Sequence, residues 1–154
     1  MPDDRHDILD AAFPGQSARF FLAMSIGGTP EGADHGAALI LTGIKTATSS
    51  PFSDYPDGRI PFAGALSVLL DGRGRPVGIV ETTRVETVRF SDVTAAMARA
   101  YGEGERTLAW WRREIGGWYR DKASREGRAF AEDDEILWEW IAVVRRLQPG
   151  SGTP

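Results

Sequence analysis

The sequence predicts an α+β fold, a small mixed β-barrel or curled sheet with helices at one side. Three observations carry this. Helical patterning dominates the chain up to about residue 42 and returns between residues 91 and 127. The segment between reads as a β-hairpin, and the chain closes on a Trp/Ile/Val-rich strand. Helices and strands that segregate along a chain in this way are the mark of α+β domains.

Taken in order, residues 1–35 read as an N-terminal extension with one helix. Residues 1–14 are polar and predicted to be loosely held. "SARFFLAMSI", Ser17–Ile26, has helical length and apolar content, with Gly27 and Gly28 as a stop. "TPEGADHGAALILT" predicts a second helix, with Thr29 as N-cap, Pro30 in the first turn and Gly43 beyond its end. Pro51–Pro61 is a loop. "GALSVLLDGRGRPVGIVETTRVETVRF" holds two apolar runs around "DGRG", a hairpin signal. Its second arm cannot keep Val80, Thr82 or Thr83, Val85 and Val88 on one face, so a bulge is expected between Thr82 and Val85.

"SDVTAAMARAYG" predicts a short helix with Ser91 as N-cap and Gly102 past its end. "ERTLAWWRREIGGWYRDKASREG" predicts a longer one, with Leu108, Trp111, Ile115, Trp118 and Tyr119 near one face and a kink at Gly116–Gly117. "DEILWEWIAVVRRL" is the closing strand. Residues 36–147 form the main domain, and 148–154 have the composition of a flexible tail.

The 154 residues fit one domain. There is no cysteine, so neither a disulfide framework nor a thiolate metal site is available. The N-terminus has no basic region followed by an apolar run, which argues against a signal peptide or membrane anchor and makes the cytoplasm the default location. The net charge of -4 is not that of a protein built on phosphate contacts, although Arg112, Arg113, Arg120, Lys122, Arg125 and Arg128 make one segment locally basic. His6 and His35 are the only histidines, too few for a His-based metal site. No metal or cofactor is expected.

Lysine, hydroxyl and carboxylate chemistry remains. In "GIKTATSS", Lys45 stands alone among Thr46, Thr48, Ser49 and Ser50. A lysine in such a setting can be desolvated, which lowers its pKa and makes it a competent base. A neighbouring hydroxyl can then act as nucleophile. Lys45 and Thr48 are three apart and could share a last helical turn. The plain alternative is a lysine at a helix C-terminus with capping hydroxyls. In "YGEGERTL", Glu103 and Glu105 precede a helix whose N-terminus favours carboxylates. Capping explains one of them, but not the flanking glycines, which permit close approach of a ligand or another backbone. Glu81 lies in an otherwise apolar strand. Trp110, Trp111, Trp118, Tyr119, Trp138 and Trp140 can stack on a nucleobase or fill the core.

"LILTGIKTATSS", "IPFAGALSVLLDGRGRPVGIVETTRVETVRFSDV" and "YGEGERTLAWWRR" together resemble the ASCH domain family, in order from about Gly36 to Arg146. The resemblance implies a PUA-like fold, a small mixed β-barrel whose openings are covered by helices. It implies one of two activities: hydrolysis of cytidine acylated on its exocyclic amine, or cleavage of single-stranded RNA. By this resemblance Lys45, Thr48 and Glu103 are the catalytic residues. Thr46, Ser49, Ser50, Glu81, Tyr101, Glu105 and Trp111 are the substrate-binding candidates. Tyr101 stands where the family usually has glutamate, and Ile115 where it often has histidine.

The mechanism this implies has neutral Lys45 taking the Thr48 proton, with Thr48 Oγ1 attacking the amide carbonyl. Glu103 positions or protonates the leaving amine, and N–H groups of the 46–50 loop stabilise the oxyanion. Activation of water by Lys45 is equally permitted. The partner is then a modified nucleoside or single-stranded RNA, with no membrane, and the protein is expected to be a monomer or homodimer. A non-catalytic RNA-binding module is the third reading. The acidic balance favours the nucleoside, because it carries no phosphate.

Overall fold

The computed structural model describes residues 5–148. The tail expected over 148–154 therefore lies, apart from Gln148, outside the described residues. The strands are β1 (Phe20–Met24), β2 (Ala47–Pro51), β3 (Leu66–Leu70), β4 (Pro76–Arg89) and β5 (Glu135–Arg146). The helices are α1 (His6–Ala12), α2 (Pro30–Leu41), α3 (Ala95–Tyr101) and α4 (Leu108–Arg125). The strands make one five-stranded sheet in the order β1-β3-β4-β5-β2. β1 runs parallel to β3, and the other neighbours are antiparallel.

The α+β class with flanking helices is as the sequence predicts, but the sheet is not closed into a barrel. β1 and β2 are its edges and share no ladder. Instead Leu22–Ile26 and Thr48–Ser50 line opposite sides of one pocket, so the unclosed seam is a cleft.

The segment Ser17–Ile26 is not a helix. A short 3-10 turn over Ser17–Arg19 leads into β1. Phe20, Phe21 and Met24 are buried, and β1 pairs with β3, whose residues are all buried. A short apolar run serves either a helix or a fully buried strand, and the parallel partner decides for the strand. The N-terminal segment is also tied down: α1 inserts Leu9 into a cluster with Phe20, Leu66, Val68 and Ile79, and the His6 ring lies 4.2 Å from that of Phe20.

α2 begins as expected, with the Thr29 side chain accepting from the Gly32 N–H at 3.0 Å and Pro30 in its first turn. The hairpin of β3 and β4 is closed by Asp71, whose Oδ1 accepts from the N–H groups of Arg73 and Arg75. The register of β4 against β5 shifts between Thr82 and Arg84, inside the predicted interval. α3 starts three residues later than expected. Phe90–Asp92 is a 3-10 turn, and Thr94, not Ser91, caps the helix by accepting from the Met97 N–H. α4 runs unbroken through Gly116–Gly117. Gly116 instead lets Phe90 approach, since a Cβ there would lie 2.8 Å from Phe90 Cζ. The largest aromatic cluster, with Phe90, Tyr101, Trp111, Tyr119 and Trp138, fixes α3 and α4 against β2 and β5. Among the described residues no helix is long and apolar enough to cross a membrane.

Candidate active site

The two sequence elements meet because of glycine. α3 ends on Gly102 in the left-handed conformation, φ 78°. A Cβ there would lie 2.5 Å from Ile44 O and 2.6 Å from Lys45 Cα. Only glycine permits both the conformation and the approach. The Thr46 N–H completes the join by donating to Ala100 O at 2.8 Å. Gly104, φ 61°, lies equally tight against the Trp110 ring and turns the chain into α4. The glycines flanking Glu103 therefore serve backbone and ring approach.

Lys45 is 1% exposed. It leaves the turn after α2 and runs under Tyr101, with Nζ 3.4 Å from the ring centroid. The ammonium donates to Tyr101 O at 3.1 Å and pairs with Glu103 Oε2 at 2.8 Å. Burial disfavours its charge, while Glu103 and, more weakly, Glu139 favour it; the net effect lowers the Lys45 pKa to about 8. Such a lysine shares its time between acid and base near neutrality, as a proton-transfer group must.

Thr48 is not on a helical turn with Lys45. It is the second residue of β2, paired with Glu139 of β5. The segment expected to be a loop of free N–H groups is thus an edge strand, and the Thr46 N–H is already used. Thr48, Ser49, Tyr101 and Glu103 line a cleft of about 390 Å³, within the size range of small-molecule sites. Its far wall is Ile26, Gly27 and Gly28, and α4 contributes Glu114, Ile115, Trp118 and Tyr119. The Tyr101 hydroxyl interacts with those of Ser49 and Thr48, and the Tyr119 hydroxyl lies 2.5 Å from Ser49 Oγ. Burial raises the pKa of both tyrosines, so they act as neutral hydroxyls.

The other predicted binding residues separate. Ser50 is buried and bonded to the Tyr55 hydroxyl at 2.9 Å, in a neighbouring pocket. Thr46 points away and reaches Ala100 O. Glu81 is outside the cleft, paired with Arg19 at 3.1 Å. Glu105 is exposed and lines no part of the cleft. Trp111 is wholly buried, stacked on Phe90 at 4.8 Å. Sequence reasoning missed Glu139, which is buried and accepts from Thr82 Oγ1 at 3.0 Å. Its signal was a lone carboxylate between Trp138 and Trp140. Burial raises its pKa, and the Thr82 hydrogen bond and Lys45 oppose that rise. Among the described residues no cluster of three or more His, Cys, Asp or Glu is placed to hold a metal ion.

The ASCH domain model matches residues 22–145. The chain belongs to the ASCH domain family. ASCH domains are PUA-like and are associated with RNA-binding and hydrolase-type roles. The match begins within β1, so that strand is common ground between chain and family. The crystal structure of an ASCH domain from Lactobacillus crispatus JV V101 is similar over 94% of this chain and 96% of that one, with 27% identity and a TM-score of 0.81. The structure of protein EF3133 from Enterococcus faecalis V583 is similar over 81% of this chain and 76% of that one, with 28% identity and a TM-score of 0.74. No curated protein matches the chain.

Proposed function

We propose that this ASCH domain is an amidohydrolase that releases the acyl group from N4-acylated cytidine-type nucleosides. The observation that carries it is Lys45, buried under Tyr101 and paired with Glu103, which faces a cleft whose wall presents Thr48. Thr48 Oγ1 attacks the amide carbonyl carbon. Its proton passes to the Lys45–Glu103 pair, which returns it to the departing amine as the C–N bond breaks. Water then hydrolyses the Thr48 ester, giving a carboxylic acid and free Thr48. Nζ bonds to Tyr101 O and Glu103 rather than to Thr48, so Glu103, which faces the cleft, is the group that relays the proton.

The charge of the cleft favours a nucleoside over RNA. Asp54, Glu103 and Glu114 line it, and among the described residues no arginine or lysine does. Each of the three is paired with a cation, Glu103 with Lys45, Asp54 with Lys122 and Glu114 with Arg113, so the cleft presents no excess positive charge to hold a phosphate backbone. Arg128, just beyond α4, is likewise paired with Glu126. The test is incubation with acetyl- and benzoyl-cytidine beside a labelled single-stranded RNA. Release of cytidine with the RNA left intact is expected. RNA cleavage, or salt-sensitive RNA binding without turnover of either nucleoside, would replace this reading.

A further inference from the structure

Behind Thr48 lies a second, smaller pocket of about 210 Å³. It shares Ser25, Ile26, Thr48 and Ser49 with the main cleft and extends between the unpaired edges of β1 and β2. Leu22, Met24 and Ile26 give it an apolar side. Its polar side is Glu139, Ser50 and Tyr55. Thr48 therefore stands at the junction of two compartments, which suits a residue that attacks a bond between two halves of a substrate.

Glu139 is 95% buried, since its exposure is only 5%, and it lines this pocket. Oε1 accepts from Thr82, while Oε2 has no hydrogen-bond partner among the described residues. Oε2 is reached from the pocket rather than sealed in the protein, so a ligand donor can approach and pair with it. Beside it, Ser50 Oγ and Tyr55 Oη share one hydrogen bond at 2.9 Å. Two hydroxyls that share one bond keep one hydrogen to donate. Burial pushes the Tyr55 pKa up to about 12, so the phenol keeps its proton. The pocket thus offers an acceptor next to a donor.

We infer that Glu139 and the Ser50–Tyr55 pair read the edge of the base, with Glu139 accepting the exocyclic N–H and the hydroxyl pair donating to the adjacent ring nitrogen. This rests on the nucleoside reading above and assigns the smaller pocket to the base and the larger to the acyl group. Cytosine presents a donor beside an acceptor on this edge. Uracil presents the reverse: its ring N–H can still donate to a hydroxyl oxygen, but its O4 meets the Glu139 carboxylate acceptor to acceptor, so the pocket selects cytosine by hydrogen-bond polarity at Glu139.

The product cytidine tests the assignment without requiring turnover. In NMR or calorimetric titrations, wild type is expected to bind cytidine about tenfold or more tightly than uridine. 3-Deazacytidine, which lacks the ring acceptor, should bind about fivefold or more weakly than cytidine. Glu139→Gln should bring cytidine and uridine to within about threefold or reverse their order. Equal binding of cytidine and uridine by wild type, or preference unchanged in a folded Glu139→Gln variant, overturns the assignment. The deaza comparison uses wild type alone, so it decides even if the variant does not fold. Absence of acylcytidine turnover with base selectivity intact would sink the amidohydrolase reading and leave the base pocket standing. Turnover without selectivity would do the opposite.

Discussion

Gly102 is pressed against Lys45, so that a methyl group on the glycine would lie 2.6 Å from the lysine Cα. The contact joins the end of α3 to the turn before β2 and sets where Lys45 enters the protein. Gly102→Ala adds a side chain at positive φ and forces two backbones apart. It should destabilise the fold by about 2 kcal/mol or more and reduce turnover further than that loss of folded protein explains. Gly117→Ala is the control. It sits in α4 with nothing within 4 Å of the new Cβ and should be neutral or stabilising by up to about 1 kcal/mol. Denaturant melts of the two variants make the comparison, and equal effects would remove the close approach as the cause.

Lys45 ties activity to pH. Its folded pKa, about 8, lies below the ordinary lysine value of 10.5. If the neutral amine is the base, turnover rises with pH through a limb centred near 8 and levels above it. Glu103 holds that pKa up, so in Glu103→Gln any residual limb moves to lower pH. A pH–rate profile that falls over this range contradicts a base role for Lys45.

The same shift has a stability consequence of defined sign. The unfolded chain binds the Lys45 proton more tightly than the folded one. Stability therefore rises as pH climbs from about 8 towards 10.5, and the burial cost stands in full below about 8. Lys45→Met removes the ammonium and keeps an unbranched apolar chain one atom shorter. Its partner Glu103 is 22% exposed and can be hydrated. The variant should be inactive yet at least as stable as wild type at pH 7, as judged by its urea midpoint. A variant much less stable than wild type would mean that the pair holds the fold together.

Much of this site was legible before any coordinates. Lys45, Thr48 and Glu103 came from the family resemblance that two sequence elements in order carry, and the α2 cap, the hairpin and the β4 irregularity came from local rules. What escaped depended on long-range partners. Phe20–Met24 reads as helix or strand until β3 is seen beside it. Ser91 and Thr94 both satisfy capping grammar, and the 3-10 turn at Phe90 decides between them. Glu139 fits the pattern of β5, but only its bond from Thr82 and its ladder partner Thr48 show that its side chain lines a pocket. Trp111 and Trp118 look equivalent in a helical pattern, yet one fills the core and the other remains 48% exposed.

That exposed indole carries the last prediction. Trp118 lies on α4 at the cleft, with Cη2 about 3.1 Å from where a Gly28 Cβ would be. A large aromatic half in water gains little for the fold, but it offers a flat apolar face to an acyl chain or a sugar. Trp118→Ala should change stability by less than about 0.5 kcal/mol. It should raise KM for benzoyl-cytidine by about tenfold, and less for acetyl-cytidine, because the larger acyl group covers more of the indole. The kcat values should stay close to wild type, since the indole touches none of the proton-transfer groups. An equal rise in KM for both substrates would move Trp118 from the acyl group to the part they share, the nucleoside.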